Sequence, residues 1–223
     1  MWRKIPSRMK WVGAVCLGYA VASLVVWLVA RRKIYLWLIW NLLLAVVPLA
    51  VSSVLFVGRN LKGAVSAILL AVWLLFLPNA FYVTTDLIHL SKVSYYEVDE
   101  EGVEVEYFKN LEGYVRMLVV FAGAVLGTAA GVMAVDDVHG LMRKRKWGKT
   151  RRLWTLAGIF VLTGLGMWMG RFLRFNSWDV WNPIYVVREV VRGFDMFALL
   201  ISGVFTFYAG AAYGFYAKLI RER

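Results

Sequence analysis

The sequence predicts an all-α fold, a polytopic integral membrane protein with six transmembrane helices. Of its 223 residues, 61% are hydrophobic and 18% are charged, whereas soluble domains are about half apolar and about a quarter charged. The apolar residues fall into six long stretches, and Lys and Arg concentrate between them. The surplus apolar surface is therefore expected to face lipid, in a single membrane domain over residues 1–223.

Each of the six stretches is long enough to cross the hydrocarbon core of a bilayer, which takes about 20 helical residues. The predicted spans cover about residues 11–30, 34–57, 63–83, 113–135, 153–169 and 194–217. The first span is too long for a cleavable signal, and Arg31-Arg32-Lys33 follows it where a small-residue cleavage site is expected. We therefore interpret it as a permanent anchor.

The basic residues predict the orientation of the spans. With both termini in the cytoplasm, the inner segments hold 16 Lys and Arg residues and the outer segments hold nine. Cytoplasmic loops are the ones that carry the excess of Lys and Arg. The Arg31-Arg32-Lys33 triplet then lies outside and counts against this arrangement. The balance predicts a multi-pass protein of the cell (cytoplasmic) membrane with both termini cytoplasmic.

Two smaller elements are predicted on the outer side. The segment between spans three and four is acidic, and its polarity alternates around Asp99-Glu100-Glu101-Gly102, which is typical of a small β-hairpin. Between spans five and six, Asn182-Pro183 is a helix-start pattern. The segment behind it is too short and too charged to cross, and its apolar residues recur at helical spacing while Arg188, Glu189 and Arg192 fall elsewhere. An amphipathic helix at the outer membrane interface is expected.

Small residues at every fourth position predict which spans pack closely. Span six carries such a stripe, made of Ala198, Ser202, Thr206, Gly210 and Gly214. Span four has glycines in the same period, and span five ends with two glycines four residues apart. Spans four, five and six are therefore expected to form a tight cluster.

The first polar signature follows span three. It reads Leu77-Pro78-Asn79-Ala80-Phe81-Tyr82-Val83-Thr84-Thr85-Asp86-Leu87-Ile88-His89-Leu90. Pro78 disfavours helix in the residue before it, so we expect a break or kink, with Asn79 capping a new turn. If helix resumes, Tyr82, Asp86 and His89 share one face. Two candidate ligands, Asp86 and His89, do not make a zinc site, so no metal is predicted.

The second polar signature, Gly170-Arg171-Phe172-Leu173-Arg174-Phe175-Asn176-Ser177-Trp178-Asp179, follows span five. Arg171 and Arg174 stand three residues apart, so their guanidinium groups can converge on a phosphate or carboxylate. They can equally reach lipid phosphates, or pair with Asp86 and Asp179 to hold the loops together. The sequence leaves these alternatives open.

Span two adds one polar side chain, Asn41, inside the membrane. An unpaired amide in hydrocarbon is costly, so Asn41 is expected either to bond another helix or to line a polar cavity. Together, Trp40-Asn41-Leu42-Leu43 with Pro48 and the two signatures resemble an uncharacterised prokaryotic membrane-protein family, catalogued as domain of unknown function 1361. The resemblance runs from about residue 34 to 217. It implies a multi-span membrane protein and brings no activity.

The two signatures are predicted to share one outward-facing polar pocket. Its binding residues are predicted to be Asn79, Tyr82, Asp86, His89, Arg171, Arg174, Asn176 and Asp179. The favoured function is binding or transport of a small anionic solute or lipid head group. One alternative is a membrane-embedded enzyme acting on a lipid-linked or phosphorylated substrate, with His89 as general base. The other is a structural or assembly subunit, and whether the chain is an enzyme stays open.

Several other chemistries are not predicted. The only cysteine, Cys16, lies in the first span, which excludes an intrachain disulfide and a cysteine zinc site. Asp136-Asp137-Val138-His139 stands beside seven basic residues, so ion pairing accounts for it. No phosphate-cradling loop or catalytic motif occurs, and no cofactor is expected. The expected partners are the lipid bilayer and anionic lipid head groups. Nucleic acid is not expected, because the basic residues lie between apolar spans.

Overall fold

The computed structural model describes residues 7–57, 63–98 and 104–221 of the chain. Seven α-helices lie in those ranges: α1 (Ser7–Ala30), α2 (Ile34–Val57), α3 (Gly63–Tyr82), α4 (Leu111–Lys144), α5 (Lys149–Phe172), α6 (Pro183–Gly193) and α7 (Met196–Arg221). Two 3-10 helices cover Val83–Lys92 and Ser177–Trp181, and two short strands are β1 (Tyr96–Val98) and β2 (Glu104–Tyr107).

Within these described ranges, six helical segments are long and apolar enough to cross a membrane. They are Met9–Ala30, Ile34–Phe56, Gly63–Lys92, Leu111–Lys144, Lys149–Phe172 and Met196–Leu219. The predicted all-α class with six membrane-spanning helices is therefore confirmed, and the chain is a multi-pass membrane protein. The fourth span differs most from its predicted bounds, because α4 continues past residue 135 to Lys144. Hydropathy marks the part of a helix that faces lipid, whereas backbone hydrogen bonding continues into polar sequence.

The loop before α4 contains the two strands. β1 and β2 are antiparallel, and the rings of Tyr96 and Tyr107 meet edge to face with their centroids 5.9 Å apart. The turn predicted over residues 99–102 lies outside the described residues. α6 begins at Pro183, where Asn182 Oδ1 accepts a hydrogen bond from the Tyr185 N–H at 3.3 Å. The outer location of these two elements stays a prediction.

The chain divides into two compact units, described separately below. Unit 1 comprises Met1–Leu42 and Val83–Leu126, and unit 2 comprises Leu43–Tyr82 and Gly127–Arg223. In unit 1, Tyr35, Leu38 and Val120 form a buried cluster of α2 and α4 side chains.

One glycine of the fourth span lies against α1 in unit 1. A Cβ atom at Gly123 would lie 2.6 Å from the Tyr19 hydroxyl, and that hydroxyl donates to the Val119 carbonyl at 3.2 Å. Gly123 was expected to allow close packing among spans four, five and six. It instead makes room for a tyrosine ring of α1, because a glycine stripe shows that a surface is close-packed without identifying the partner.

Unit 2 contains a close helix contact between α5 and α7. A Cβ atom at Gly164 would overlap Thr206 Oγ1 and the Ser202 carbonyl oxygen, so the stripe on α7 does pack closely on α5. The point of closest approach is Gly164 rather than Gly210, which faces the Phe160 ring at an ordinary 3.7 Å. α4 reaches α7 through Thr128 and the Tyr208 hydroxyl, whose oxygens are 2.5 Å apart.

α3 packs into the same unit through two further glycines. A Cβ atom at Gly166 of α5 would lie 2.5 Å from the Pro78 ring, and one at Gly131 of α4 would lie 2.9 Å from the Phe81 ring. The expected cluster of spans four, five and six thus includes span three as well.

Candidate functional site

The turn between α1 and α2 carries the basic triplet of unit 1. Arg31 has a φ angle of 55°, and its N–H donates to the Trp27 carbonyl at 2.8 Å. A residue in this left-handed conformation commonly ends a helix. The chain therefore reverses at Arg31, and Arg32 and Lys33 come directly before α2.

Of the break or kink that the first signature predicts at Pro78, the break does not occur, and the kink stays a prediction. α3 runs through Pro78 to Tyr82. Side chains compensate the backbone near the proline, since Asn79 Nδ2 donates to the Phe76 carbonyl at 3.2 Å and Ser177 Oγ donates to the Leu75 carbonyl at 3.3 Å. Such donors help to satisfy the carbonyl groups around a proline in a membrane helix.

Beyond Tyr82 the chain changes to a 3-10 helix over Val83–Lys92. Such a helix has three residues per turn, so Asp86, His89 and Lys92 lie in one row. The prediction assumed α-helical spacing and placed Tyr82, Asp86 and His89 on one face. The tighter helix adds Lys92 to the row and takes Tyr82 out of it.

Asp86 is buried and hydrogen-bonded to Asn41. Its side chain is only 4% exposed, and Asn41 Nδ2 donates to Asp86 Oδ2 at 2.7 Å. His89 Nε2 lies 3.9 Å from Asp86 Oδ1, which is beyond hydrogen-bond distance although close enough for electrostatic attraction. Asn41 has both roles that the sequence left open, because it bonds another element and also lines a cavity.

That cavity is a cleft of about 330 Å³ with a basic lining. We call it the basic cleft, and its polar residues are Arg32, Lys33, Asn41, Asp86, His89, Lys92 and Arg116. Ile34, Trp37 and Leu38 complete its walls. Four cationic side chains from the α1–α2 turn, the 3-10 helix and α4 thus surround one buried carboxylate.

A second cavity of about 530 Å³ shares Arg32, Lys92 and Arg116 with the basic cleft. Glu112 also lines it, and its Oε1 lies 2.5 Å from Arg116 Nη2 and 3.4 Å from Arg32 Nε. Glu112 therefore holds two of the cleft's guanidinium groups in place. The Nε atom of Arg116 is buried without a hydrogen-bond partner.

Sequence reasoning missed all four basic residues of this cleft. It used Arg32, Lys33 and Lys92 only in the charge count for orientation, and it left Arg116, just inside span four, out of that count. One signal pointed to them, because the triplet at residues 31–33 did not fit the predicted orientation and so needed another explanation.

The other predicted site residues belong to unit 2, where several of them make pairwise contacts. The Arg171 guanidinium lies over the Tyr82 ring, 4.6 Å from its centroid, a favourable cation–π geometry. Asn79 Nδ2 donates to Ser177 Oγ at 2.8 Å. These contacts attach the loop after α5 to the end of α3.

The same loop is shaped by its own polar side chains. Arg174 has a φ angle of 58°. At the start of the second 3-10 helix, the Asn176 N–H donates to Asp179 Oδ2 at 2.7 Å, and the Asp179 N–H donates to the Asn176 carbonyl at 3.0 Å. Of the eight predicted residues, Asp86 and His89 belong to unit 1 and the other six to unit 2. The single shared pocket stays a prediction.

The acidic pair at residues 136 and 137 bonds hydroxyl groups. Asp137 is buried and accepts from Ser52 Oγ at 2.9 Å. Asp136 Oδ1 accepts from the Tyr213 hydroxyl at 3.3 Å, and that hydroxyl lies 2.7 Å from His139 Nδ1. Among the residues that the structure describes, no three His, Cys, Asp or Glu side chains are placed to hold a metal ion.

Comparison with known proteins adds one match. The sequence model of a family described as "Protein of unknown function (DUF1361)" matches residues 40–211, which is most of the chain and includes both polar signatures. No curated protein and no solved structure matches the chain.

Proposed function

For this chain, which belongs to the family Protein of unknown function (DUF1361), we propose that the basic cleft binds a small anion, the phosphate or carboxylate group of a solute or lipid head group. One observation carries the proposal: four cationic side chains converge on a cavity that contains a single carboxylate, Asp86. Clefts lined by charge of one sign concentrate ligands of the opposite sign.

The two kinds of basic residue contribute differently. Arg32 and Arg116 can each present a planar pair of N–H donors to an oxyanion, whereas Lys33 and Lys92 act as point charges. Glu112 restrains both guanidinium groups before a ligand arrives. Such preorganisation lowers the entropic cost of binding.

Asp86 has a positioning role in this proposal. Its bond to Asn41 holds the carboxylate in place, so that its negative charge attracts His89 and Lys92 on the same row of the 3-10 helix. The anion then meets cations whose positions are already set.

Binding is better supported than transport. Transport requires polar groups to continue through the membrane, but the residues one and two turns beyond Asn41 on α2, Ala45 and Leu49, are apolar and fully buried.

The six predicted site residues of unit 2 have a structural role in this proposal. Arg171 and Asn79 attach the loop after α5 to α3, and Asn176 and Asp179 start the next helix. This corresponds to the alternative in which the second signature holds loops together.

The proposal includes location in the cell membrane with both termini in the cytoplasm. The charge balance of the loops supports this orientation. Arg32 and Lys33 no longer weigh against it strongly, because their place in the basic cleft gives them a reason to lie on the outer side.

The test is phosphate-dependent stabilisation of the purified protein in detergent. At constant ionic strength, replacing chloride with phosphate should raise the unfolding temperature, since a ligand at 100 times its Kd stabilises the folded state by about 2.7 kcal/mol. The Arg32→Gln/Lys92→Gln variant should lose this response. The matched control is Arg31→Gln/Lys109→Gln, which removes the same charge outside the cleft and should keep it.

Two further arms identify the source of the anion. Acetate replaces phosphate in one, and micelles with phosphatidylglycerol replace free anions in the other. If neither free anions nor the lipid stabilise the wild-type protein beyond chloride, the proposed function is wrong. It is equally wrong if the control variant loses as much stabilisation as the cleft variant.

A further inference from the structure

Unit 2 contains a cavity whose chemistry differs from that of the basic cleft. It measures about 420 Å³ and lies among α2, α3, α4 and α5. Its walls are mainly apolar, and they include Leu55, Phe56, Leu70, Trp73, Leu74 and Ile159. Its size falls within the range of about 300–1,000 Å³ that is typical of small-molecule sites. We call it the apolar cavity.

One lining residue, Trp73, has a buried hydrogen-bond donor. Trp73 is 2% exposed, and its indole Nε1 is buried with no hydrogen-bond partner. A buried N–H without an acceptor destabilises the protein, and buried tryptophans normally find one. The indole nitrogen is closed to a molecule the size of water, so an oxygen atom of an occupant reaches it only after the Trp73 ring turns towards the cavity.

Basic side chains stand at one end of the cavity. Lys144 and Arg145 line it where α4 ends. The Lys144 ammonium group lies over the Phe56 ring, 3.4 Å from its centroid. Trp73 lies about two helical turns from Ser66, the lining residue nearest the start of α3. The cavity therefore combines two cationic lining residues with mainly apolar walls.

We propose that the apolar cavity is a binding site for an anionic glycerophospholipid. One acyl chain occupies the apolar interior, an ester carbonyl oxygen accepts from Trp73 Nε1, and the phosphate lies between Lys144 and Arg145. Basic pockets between membrane helices are suited to anionic head groups. The lipid site does not involve the basic cleft, so it can be tested independently of the proposed function.

The first experiment distinguishes specific binding of the lipid in the apolar cavity from non-specific electrostatic attraction between basic residues and anionic lipids. The protein, purified in detergent, is titrated with phosphatidylglycerol and with phosphatidylcholine of the same chains, and bound lipid is counted by native mass spectrometry. The wild type should prefer phosphatidylglycerol. Lys144→Gln/Arg145→Gln should weaken its binding about thirtyfold, since each basic residue near such a head group is worth about a factor of five.

The matched control is Arg143→Gln/Lys149→Gln, which removes the same charge from the same loop but does not change the cavity lining. It should bind phosphatidylglycerol like the wild type. Equal losses in the two double variants would overturn the proposal, and so would displacement of the lipid by inorganic phosphate alone, which would indicate a site for free anions.

The second experiment tests the buried donor. Trp73→Phe removes the N–H and keeps an aromatic ring, so it should weaken binding of ester-linked phosphatidylglycerol about three- to tenfold. The ether-linked analogue has no carbonyl acceptor, so wild type and variant should bind it alike. Equal binding of the ester lipid by both proteins would overturn the role of Trp73.

A third variant provides a test that does not depend on whether Trp73→Phe folds correctly. Leu70→Trp keeps the donor and fills part of the cavity, so it should reduce binding of the ester and ether lipids to the same extent. Unchanged binding of both lipids by this variant would show that the acyl chain lies elsewhere and would overturn the proposal.

Discussion

Gly164→Ala is expected to destabilise unit 2 although it adds a single methyl group. The new Cβ atom would overlap Thr206 Oγ1 and the Ser202 carbonyl oxygen and would lie 2.8 Å from the Thr206 nitrogen. Two of these three atoms belong to the α7 backbone, so side-chain rotation cannot relieve the overlap and the helices must move apart.

The magnitude follows from two opposing effects. Overpacking of a close-packed interior costs about 1–3 kcal/mol, and the upper end applies here because backbone atoms are involved. Replacing glycine by alanine in a helix returns about 0.5–1 kcal/mol. The net loss should be about 2 kcal/mol.

Unfolding in mixed detergent–SDS micelles measures this change. The control is Gly158→Ala on the same helix, where a Cβ atom would meet nothing within 4 Å, and it should be neutral or slightly stabilising. Adding Thr206→Ala should rescue Gly164→Ala only in part, because the Ser202 carbonyl remains. If the two glycine variants are equally stable, or if Thr206→Ala restores full stability, the inferred backbone contact between α5 and α7 is wrong.

Two further predictions concern the site and the orientation. Asn41→Leu and Asp86→Leu should each lower the free energy of unfolding, because each single change leaves a polar partner buried. The loss in the double variant should be about 1.5–3 kcal/mol smaller than the sum of the two single losses. Additive losses, measured by unfolding in detergent, would contradict the bond at 2.7 Å. Single cysteines replacing Glu101 and Lys146 in a Cys16→Ala background should react with an impermeant maleimide from opposite faces, and labelling at position 146 in sealed cells would reverse the orientation.

Much of the secondary structure could be predicted because its causes are local. A run of apolar residues long enough to cross a bilayer must be helical in lipid, since each backbone group needs an internal partner. α2 accordingly begins and ends where the sequence predicts, at Ile34 and Val57. The Asn182-Pro183 pair identifies the start of α6 for an equally local reason, as asparagine caps and proline suits the first turn.

Local reasoning could not show that the helix continues through Pro78, because the residues packed around that segment are remote in sequence. The hydroxyl of Ser177 serves a carbonyl of α3 about a hundred residues earlier, and Gly166 makes room for the proline ring. The conformational effect of Pro78 on the residue before it, which was the basis of the prediction, does not include either of these contacts. The change to 3-10 geometry after Tyr82 could not be predicted either, since the residues of that segment are compatible with an α-helix and with a 3-10 helix.

By itself, the sequence determined the fold class, the six membrane-spanning helices, the family resemblance and the two polar signatures, all of which depend on residues close together in the chain. Tertiary structure alone decided what those polar residues meet. Asn41 and Asp86 are 45 residues apart and share a hydrogen bond, while Arg32, Lys92 and Arg116 line one cleft from three separate elements. Charge patterns record how many basic residues a loop carries, but only the packing of helices determines which of them converge.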